Sequence, residues 1–151
     1  MSWRGALRLE FIRGRFAARV FGSGCSYEHD GRLFRLPAGM FTDFGSVPGW
    51  VVLVCLVPRI GLIRDAFILH DLLYQTGVVP RSEADAIFRA AAYSLLAEGE
   101  AEIKGQGWLA AWERWGYQVY YWRVDAAYLG IRWFGWYPWS RYRAGLSDAD
   151  A

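Results

Sequence analysis

A histidine and an aspartate are adjacent in the apolar segment GLIRDAFILHDLLYQTG, which spans residues 61–77. Ionisable side chains are seldom buried in such a segment unless they have a partner or a chemical task. The i, i+3, i+4, i+7 spacing of one helix face relates Phe67, His70, Asp71 and Tyr74. Neighbours in sequence are about 100° apart around a helix axis, so His70 and Asp71 do not point at each other. We therefore expect two groups with separate roles that converge on one ligand.

A second candidate carboxylate, Asp85, lies in the first turn of the next predicted helix. The connection between the two helices is short, so they should pack antiparallel, and Asp85 would then reach His70 and fix its imidazole tautomer. Ser82-x-x-Asp85 also has the spacing of a capping box, in which Asp85 would only satisfy helix amides. In the same non-catalytic interpretation, His70 bonds a backbone carbonyl and Asp71 pairs with a nearby arginine, Arg64 or Arg81. The spacing alone leaves both interpretations open.

The first sixty residues are predicted to form mostly strands and loops. ALRLEFI (6–12) alternates apolar and polar residues as a half-buried strand does, and FAARVF (16–21) is a second candidate strand. Asp30-Gly31 stands between two alternating runs and predicts a β-hairpin. LPAGMFTDFGSVPGW (36–50) has the Pro and Gly content of an ordered loop.

Helical patterns follow from residue 62 onwards. Residues 62–76 form the first predicted helix and residues 82–99 the second, so the segment 61–99 is predicted to be an antiparallel helical pair. A long aromatic helix is predicted within 100–143. One apolar face of this helix is defined by Trp112, Trp115, Val119, Trp122, Ala126 and Leu129.

Length and composition restrict the classes of protein to consider. A chain of 151 residues with 54% hydrophobic and 21% charged residues predicts one domain, here an α+β domain over 1–151 with an irregular tail at 144–151. A net charge of +2 without a basic run gives no reason to expect a nucleic-acid partner. The N-terminal residues lack the apolar core of a signal peptide, and VVLVCLV (51–57) is far shorter than the roughly 20 residues of a membrane span. We expect a soluble protein.

Three motifs follow one another in the chain: TDFGSVPGW (42–50), DAFILHDLLYQTG (65–77) and SEADAIFRAA (82–91). As a set in this order, they resemble the domain of unknown function 1353 family, which is found largely in bacteriophages and prophages. That family has a T-D-x-x-S-V-P loop, an A-x-x-x-H-D-x-L-Y helix and an A-D-x-x-F helix. The resemblance implies a phage context but no activity.

The motif H-D-x-x-Y followed by an Asp-bearing helix is also similar, more distantly, to phospholipase A2. The likeness is greatest to compact versions such as the parvovirus capsid enzyme. It implies that His70 is the general base that takes a proton from the attacking water. Asp85 would orient His70, and Tyr74 would hydrogen-bond within the same network.

The same resemblance implies a Ca²⁺ ion held by Asp71, because Ca²⁺ prefers carboxylate and carbonyl oxygens. The metal would polarise the ester carbonyl and stabilise the oxyanion. This chain departs from the phospholipases because it lacks their glycine-rich calcium loop and their disulfides. The loop TDFGSVPG lies at the right place in the sequence to substitute, with Asp43 as a second carboxylate ligand and Gly45 as a backbone ligand.

Trp and Tyr interleave with Arg in WRVDAAYLGIRWFGWYPWSRYR (122–143), a composition typical of a membrane–water interface. Packing against the core or against a partner protein, such as a phage structural protein, is the favoured interpretation. A phospholipid surface is the second. The expected location is a virion or the cytoplasm of an infected host.

Three function classes remain open. The first is a phospholipase-like hydrolase that uses His70, Asp71 and Asp85 with Ca²⁺. The second is a non-catalytic phage structural or accessory protein in which the helical pair is a packed core. The third is an HD-type metal phosphohydrolase, which needs a further helical histidine; the other histidine of the chain, His29, falls on a predicted turn.

Overall fold

Short antiparallel strands form the N-terminal part of the molecule. The computed structural model describes residues 2–5, 7–12, 18–21, 24–43 and 61–145. The strands in these ranges are β1 (Ser2–Arg4), β2 (Leu9–Phe11), β3 (Ala18–Val20), β4 (Ser26–His29), β5 (Arg32–Arg35) and β6 (Phe41–Thr42). They pair into two antiparallel sheets with the strand orders β1-β4-β5 and β2-β3-β6.

The Asp30-Gly31 turn joins β4 to β5 and confirms the predicted hairpin. Both residues have positive φ angles, 48° and 76°, which a two-residue hairpin turn of the mirror-image type requires. The strands predicted within 6–12 and 16–21 are also present, as β2 and β3. The strands β1 and β6 were not predicted, because β1 precedes the first alternating run and β6 lies within the segment 36–50 that was predicted to be a loop.

Four helices account for most of the described residues after residue 60. They are α1 (Arg64–Thr76), α2 (Arg81–Ala101), α3 (Trp108–Phe134) and α4 (Trp136–Arg143). Helix α1 ends at Gly77, whose φ of 61° and amide bond to the Leu73 carbonyl are typical of a glycine helix terminus. Together with the two sheets, these helices confirm the α+β class.

The helices α1 and α2 form the predicted antiparallel pair. Phe67 on α1 packs against Phe88 on α2 with a ring separation of 4.9 Å. One turn further along α1, His70 contacts Asp85, which lies about one turn before Phe88 on α2. Contacts in this opposite order place the centre of α1 beside the first turns of α2. The indole nitrogen of Trp3 in β1 donates to the Ala91 carbonyl, so the first sheet also contacts α2.

The C-terminal aromatic segment differs from its prediction in two respects. It forms two helices instead of one, with a break at Gly135. The predicted apolar face of α3 also points away from the core, with Trp112 and Trp122 67% and 64% exposed. A different face of α3 is buried, and it consists mainly of small and aliphatic residues that allow close helix packing: Ala110, Val124, Ala127, Gly130 and Ile131. Within the described residues, no helix is both long and apolar enough to cross a membrane.

Candidate active site

The carboxylate of Asp85 is the centre of a buried hydrogen-bond network. Its Oδ1 atom lies 3.1 Å from Nε2 of His70 and accepts a 2.7 Å hydrogen bond from the Tyr74 hydroxyl. Its Oδ2 atom accepts a 3.3 Å hydrogen bond from Nη1 of Arg132. Asp85 has no exposed surface. The three donors therefore replace the hydrogen bonds that water would otherwise make to the charged oxygens.

Helix geometry explains why His70 and Tyr74 reach the same carboxylate. The two residues are four apart on α1, so they lie on one face, with ring centroids 4.0 Å from each other. The capping-box interpretation of Asp85 is wrong, because α2 already begins at Arg81, with Pro80 as its N-cap and no side-chain cap bond. Asp85 is therefore the fifth residue of the helix, and its side chain points into the interface with α1.

The hydrogen bonds determine which protons the network carries. Burial alone would raise the pKa of Asp85, but the hydrogen bonds from His70, Tyr74 and Arg132 outweigh it and hold the pKa below the usual value. An ionised Asp85 can only accept hydrogen bonds, so Nε2 of His70 carries a proton and donates a hydrogen bond to Oδ1. Burial and the neighbouring carboxylate raise the pKa of Tyr74 far above its usual range, so Tyr74 is also a permanent donor.

The imidazole of His70 is held in place by its contact with Asp85 and by a neighbouring aromatic ring. With Nε2 protonated, the neutral ring has its lone pair on Nδ1, and no hydrogen bond to Nδ1 comes from the part of the chain that the structure describes. The ring of Phe88 packs edge-on at 5.5 Å and restricts rotation of the imidazole. The side chain of His70 is 5% exposed, whereas that of Asp85 is fully buried. The geometry can therefore support a general base that is oriented by a carboxylate.

Asp71 lies on the neighbouring side of α1 and faces the second sheet. Its Oδ2 atom accepts a 2.5 Å hydrogen bond from the hydroxyl of Thr42, at the end of β6. Both residues are buried. The two arginines considered as partners of Asp71 make other contacts: Arg64 pairs with the adjacent Asp65, and Arg81 donates to the Arg132 carbonyl.

The predicted metal ligands are brought together only in part. Asp43 directly follows β6 and is half-buried, whereas Gly45 lies outside the described residues. In the described ranges, no group of three or more His, Cys, Asp or Glu side chains is arranged to hold a metal ion. The metal-binding roles of Asp71, Asp43 and Gly45 stay predictions, as do the catalytic roles of His70, Asp85 and Tyr74.

Arg132 is a site residue that sequence reasoning missed. It directly follows the buried Ile131 near the end of α3. This position indicates that Arg132 lies close to the core, but it does not indicate that Asp85 is its hydrogen-bond partner. Arg143 was missed as well. It donates to the carbonyls of Tyr74 and Gln75 at 2.8 Å each and so satisfies the C-terminal end of α1. His29 lies at the end of β4, where it is paired with Asp30 at 3.5 Å, and gives the HD-type alternative no helical histidine.

The family comparison covers the residues of this network except Arg132. The family model described as "Protein of unknown function (DUF1353)" matches residues 20–106, which is more than half of the chain. Comparison with curated proteins and with solved structures gives no significant match. The matched range contains both sheets in part, α1, α2 and the contact between His70 and Asp85. This chain belongs to the DUF1353 family of proteins of unknown function.

Proposed function

We propose that this protein is a phospholipase A2-like hydrolase of lipid esters in which His70 activates water. The observation that supports the proposal most strongly is the 3.1 Å contact between Nε2 of His70 and Oδ1 of Asp85. This contact fixes the tautomer that a general base needs. The hydrogen bonds of Tyr74 and Arg132 to Asp85 keep the carboxylate ionised and oriented.

The proposed reaction uses Nδ1 of His70 twice. Nδ1 takes a proton from water while the water oxygen bonds to the ester carbonyl carbon, which gives a tetrahedral intermediate. When that intermediate collapses, the bond to the alcohol oxygen breaks and the imidazolium returns its proton to the leaving alcohol. Asp85 stabilises the imidazolium between the two proton transfers, because a buried negative charge lies beside the positive ring.

The calcium part of the proposal depends on Asp71. A bound Ca²⁺ would polarise the carbonyl and stabilise the oxyanion. The Oδ2 atom of Asp71 accepts a hydrogen bond from Thr42, and among the described residues Asp71 is not part of a group of three or more His, Cys, Asp or Glu side chains that could hold a metal ion. We therefore assign no reaction step to the metal. A comparison of the reaction rates with Ca²⁺ and with a chelator tests whether the ion is needed. The phage or prophage origin, with a virion or host-cytoplasm location, is proposed from the family resemblance alone.

The experiment measures fatty acid released from phospholipid vesicles by the full chain, with Ca²⁺ and with a chelator. We expect His70→Gln to lower the rate by about 100-fold or more, which is the usual contribution of a general base. The chain has two histidines, so His29→Gln is the matched control and should leave the rate unchanged. Both variants are compared by circular dichroism, so that loss of the fold is not mistaken for loss of chemistry. Equal rates for wild type and His70→Gln would rule out the proposed base.

A non-catalytic role is the second candidate, and it is favoured by the deep burial of the polar side chains at the candidate site. Asp85, Asp71 and His70 are 0%, 3% and 4% exposed, values that a purely structural polar core would also have. In that case the network would hold the helices of a phage structural or accessory protein together. His70→Gln would then lower the free energy of unfolding while neither protein released fatty acid.

A further inference from the structure

One face of the C-terminal helices consists of large apolar side chains that are exposed. The exposed fractions lie between 53% and 77%, far above those of core residues. We call this surface the aromatic face, and its members are Trp108, Trp112, Trp115, Trp122, Leu129, Trp133 and Trp136. All but Trp136 lie on α3, which at 27 residues is about 40 Å long. Exposed apolar patches of such extent mark interaction sites.

The aromatic face is separate from the face that α3 uses for folding. Val124 and Ile131 face the core and are at most 3% exposed, whereas Trp122 and Trp133 are 64% and 72% exposed. The rings of Trp112 and Trp115 stack on each other at 5.2 Å, so these two indoles form one continuous surface patch. In the part of the chain that the structure describes, the core is therefore built on a different face of α3 from the aromatic face.

The residue types favour a lipid surface over a second protein helix. Helix–helix seams are built from Leu, Ile and Val, whose shapes interdigitate. Here, six of the seven positions are tryptophan, which combines an apolar ring with a polar N–H group and is enriched at the membrane–water interface. Helices that lie in this interface carry such residues on one face and basic residues beside it.

The charge of the segment is complementary to an anionic surface. Residues 108–143 contain five arginines and two acidic residues, Glu113 and Asp125, a net charge of +3 compared with +2 for the whole chain. Two of these charges are paired with residues outside the segment, Asp125 with Arg89 at 2.8 Å and Arg132 with Asp85 at 3.3 Å, and discounting both leaves the net charge at +3. Positive charge is therefore concentrated in the helices that present the aromatic face, which favours anionic phospholipid headgroups.

We propose that the aromatic face docks this protein onto anionic phospholipid bilayers, with α3 lying along the interface. The inference rests on the proposed function, because docking through the aromatic face would bring the candidate active site to the lipid esters that it is proposed to hydrolyse. Two contacts connect the face to the site: Arg132 on α3 bonds Asp85, and Trp139 on α4 packs edge-on against Tyr74 at 5.2 Å. Docking would therefore hold the site at a fixed distance from the bilayer.

Cosedimentation of the full chain with vesicles tests the inference. The vesicles are phosphatidylcholine alone or a mixture with phosphatidylglycerol, and the His70→Gln variant is measured in parallel so that hydrolysis cannot alter them. We expect binding to the anionic vesicles, a blue shift of tryptophan emission, and weakening by added salt. The double variant W112E/W115E should bind at least about tenfold more weakly, because it removes two anchors and adds two negative charges.

The matched control is F21E/L33E, which adds the same charge at residues that are 64% and 43% exposed elsewhere on the surface. It should bind vesicles like wild type. The inference is wrong if wild type does not bind anionic vesicles or if W112E/W115E binds as well as F21E/L33E. It is also wrong if sedimentation velocity shows a stable dimer that W112E/W115E dissociates while neither protein binds vesicles.

These measurements test bilayer docking and ester hydrolysis independently of each other. Vesicle binding without fatty-acid release would support docking and remove the hydrolase proposal. Release of acid from a soluble short-chain ester without vesicle binding would support the hydrolase and remove docking.

Discussion

Arg132, near the end of α3, donates a 3.3 Å hydrogen bond to Oδ2 of Asp85, early in α2. The candidate site is therefore shared by three helices, since His70 and Tyr74 reach the same carboxylate from α1. The backbone carbonyl of Arg132 in turn accepts a hydrogen bond from Arg81, at the start of α2. The network is complete only when α3 has docked, so formation of the site is coupled to folding of the C-terminal helices.

Removing the shared carboxylate should destabilise the fold strongly. Asp85→Ala leaves the donors on His70, Tyr74 and Arg132 without their acceptor, and losing one partner of a buried charged network costs about 3–5 kcal/mol. Asp125→Ala is the control at a partly exposed carboxylate, because it breaks an ion pair to Arg89, in which the two side chains are 45% and 41% exposed, and a 2.8 Å hydrogen bond from the Tyr93 hydroxyl. That variant should cost about 1–2 kcal/mol. Urea unfolding measures both, and equal losses would contradict the central role of Asp85.

The stability that Asp85 contributes should depend on pH in the acid range. Although burial acts in the opposite direction, the hydrogen bonds from His70, Tyr74 and Arg132 lower the pKa of Asp85 in the folded protein. An aspartate in the unfolded chain has a pKa of about 3.9. A group with a depressed folded pKa stabilises the protein fully above its unfolded pKa, and this stabilisation is lost as the pH falls through the folded pKa.

The measurement compares the free energy of unfolding of wild type with that of Asp85→Asn, which cannot titrate. The difference that the Asp85 carboxylate causes should be fully present at pH 5, which lies above the unfolded pKa of about 3.9. It should shrink as the pH is lowered below about 4. A difference that does not change down to pH 2 would show that the carboxylate is not preferentially ionised in the folded protein.

The parts of the structure that the sequence predicted depend on local patterns. The Asp30-Gly31 turn indicated the hairpin, and the spacing of His70, Asp71 and Tyr74 placed these residues on one helix. A short connection to the next helix indicated that Asp85 could reach His70, and it left a capping role of Asp85 open. The contact is present, while its catalytic use is a matter for the experiments above.

The parts that were not predicted depend on tertiary packing. Periodicity showed that α3 has an apolar face, but α3 has two, and the pattern does not tell which one the core covers. Arg132 reaches Asp85 across 47 positions of sequence, a contact that no local pattern encodes. The break between α3 and α4 did have a local signal. Pro138 is the third residue of α4. Proline is tolerated in the first turn of a helix, because the N–H groups of that turn have no acceptor within the helix and the N–H that proline lacks costs no hydrogen bond.

Gly135, at the break between α3 and α4, should not tolerate a side chain. A Cβ atom there would lie 2.5 Å from the Tyr74 hydroxyl oxygen and 2.5 Å from the Ile131 carbonyl oxygen. Gly135→Ala should therefore cost about 1–3 kcal/mol through overpacking. Gly116→Ala on α3 is the matched control, because a Cβ atom there meets open space and alanine favours a helix by about 0.5–1 kcal/mol. Thermal or urea unfolding should show opposite signs for the two variants, and destabilisation by both would contradict the steric explanation.

Gly135 and Tyr74 should also be coupled energetically. Tyr74→Phe removes a donor from Asp85 and should cost about 1 kcal/mol by itself. It also removes the oxygen that the new Cβ atom meets, so Gly135→Ala should cost less in the Tyr74→Phe background, by about 1 kcal/mol. The relief is partial because the Ile131 carbonyl remains. Tyr93→Phe removes a similar hydroxyl that donates to Asp125, away from Gly135, and its effect should add to that of Gly135→Ala without coupling. Additive free energies in both double-mutant cycles would show that the Tyr74 hydroxyl does not limit the space at Gly135.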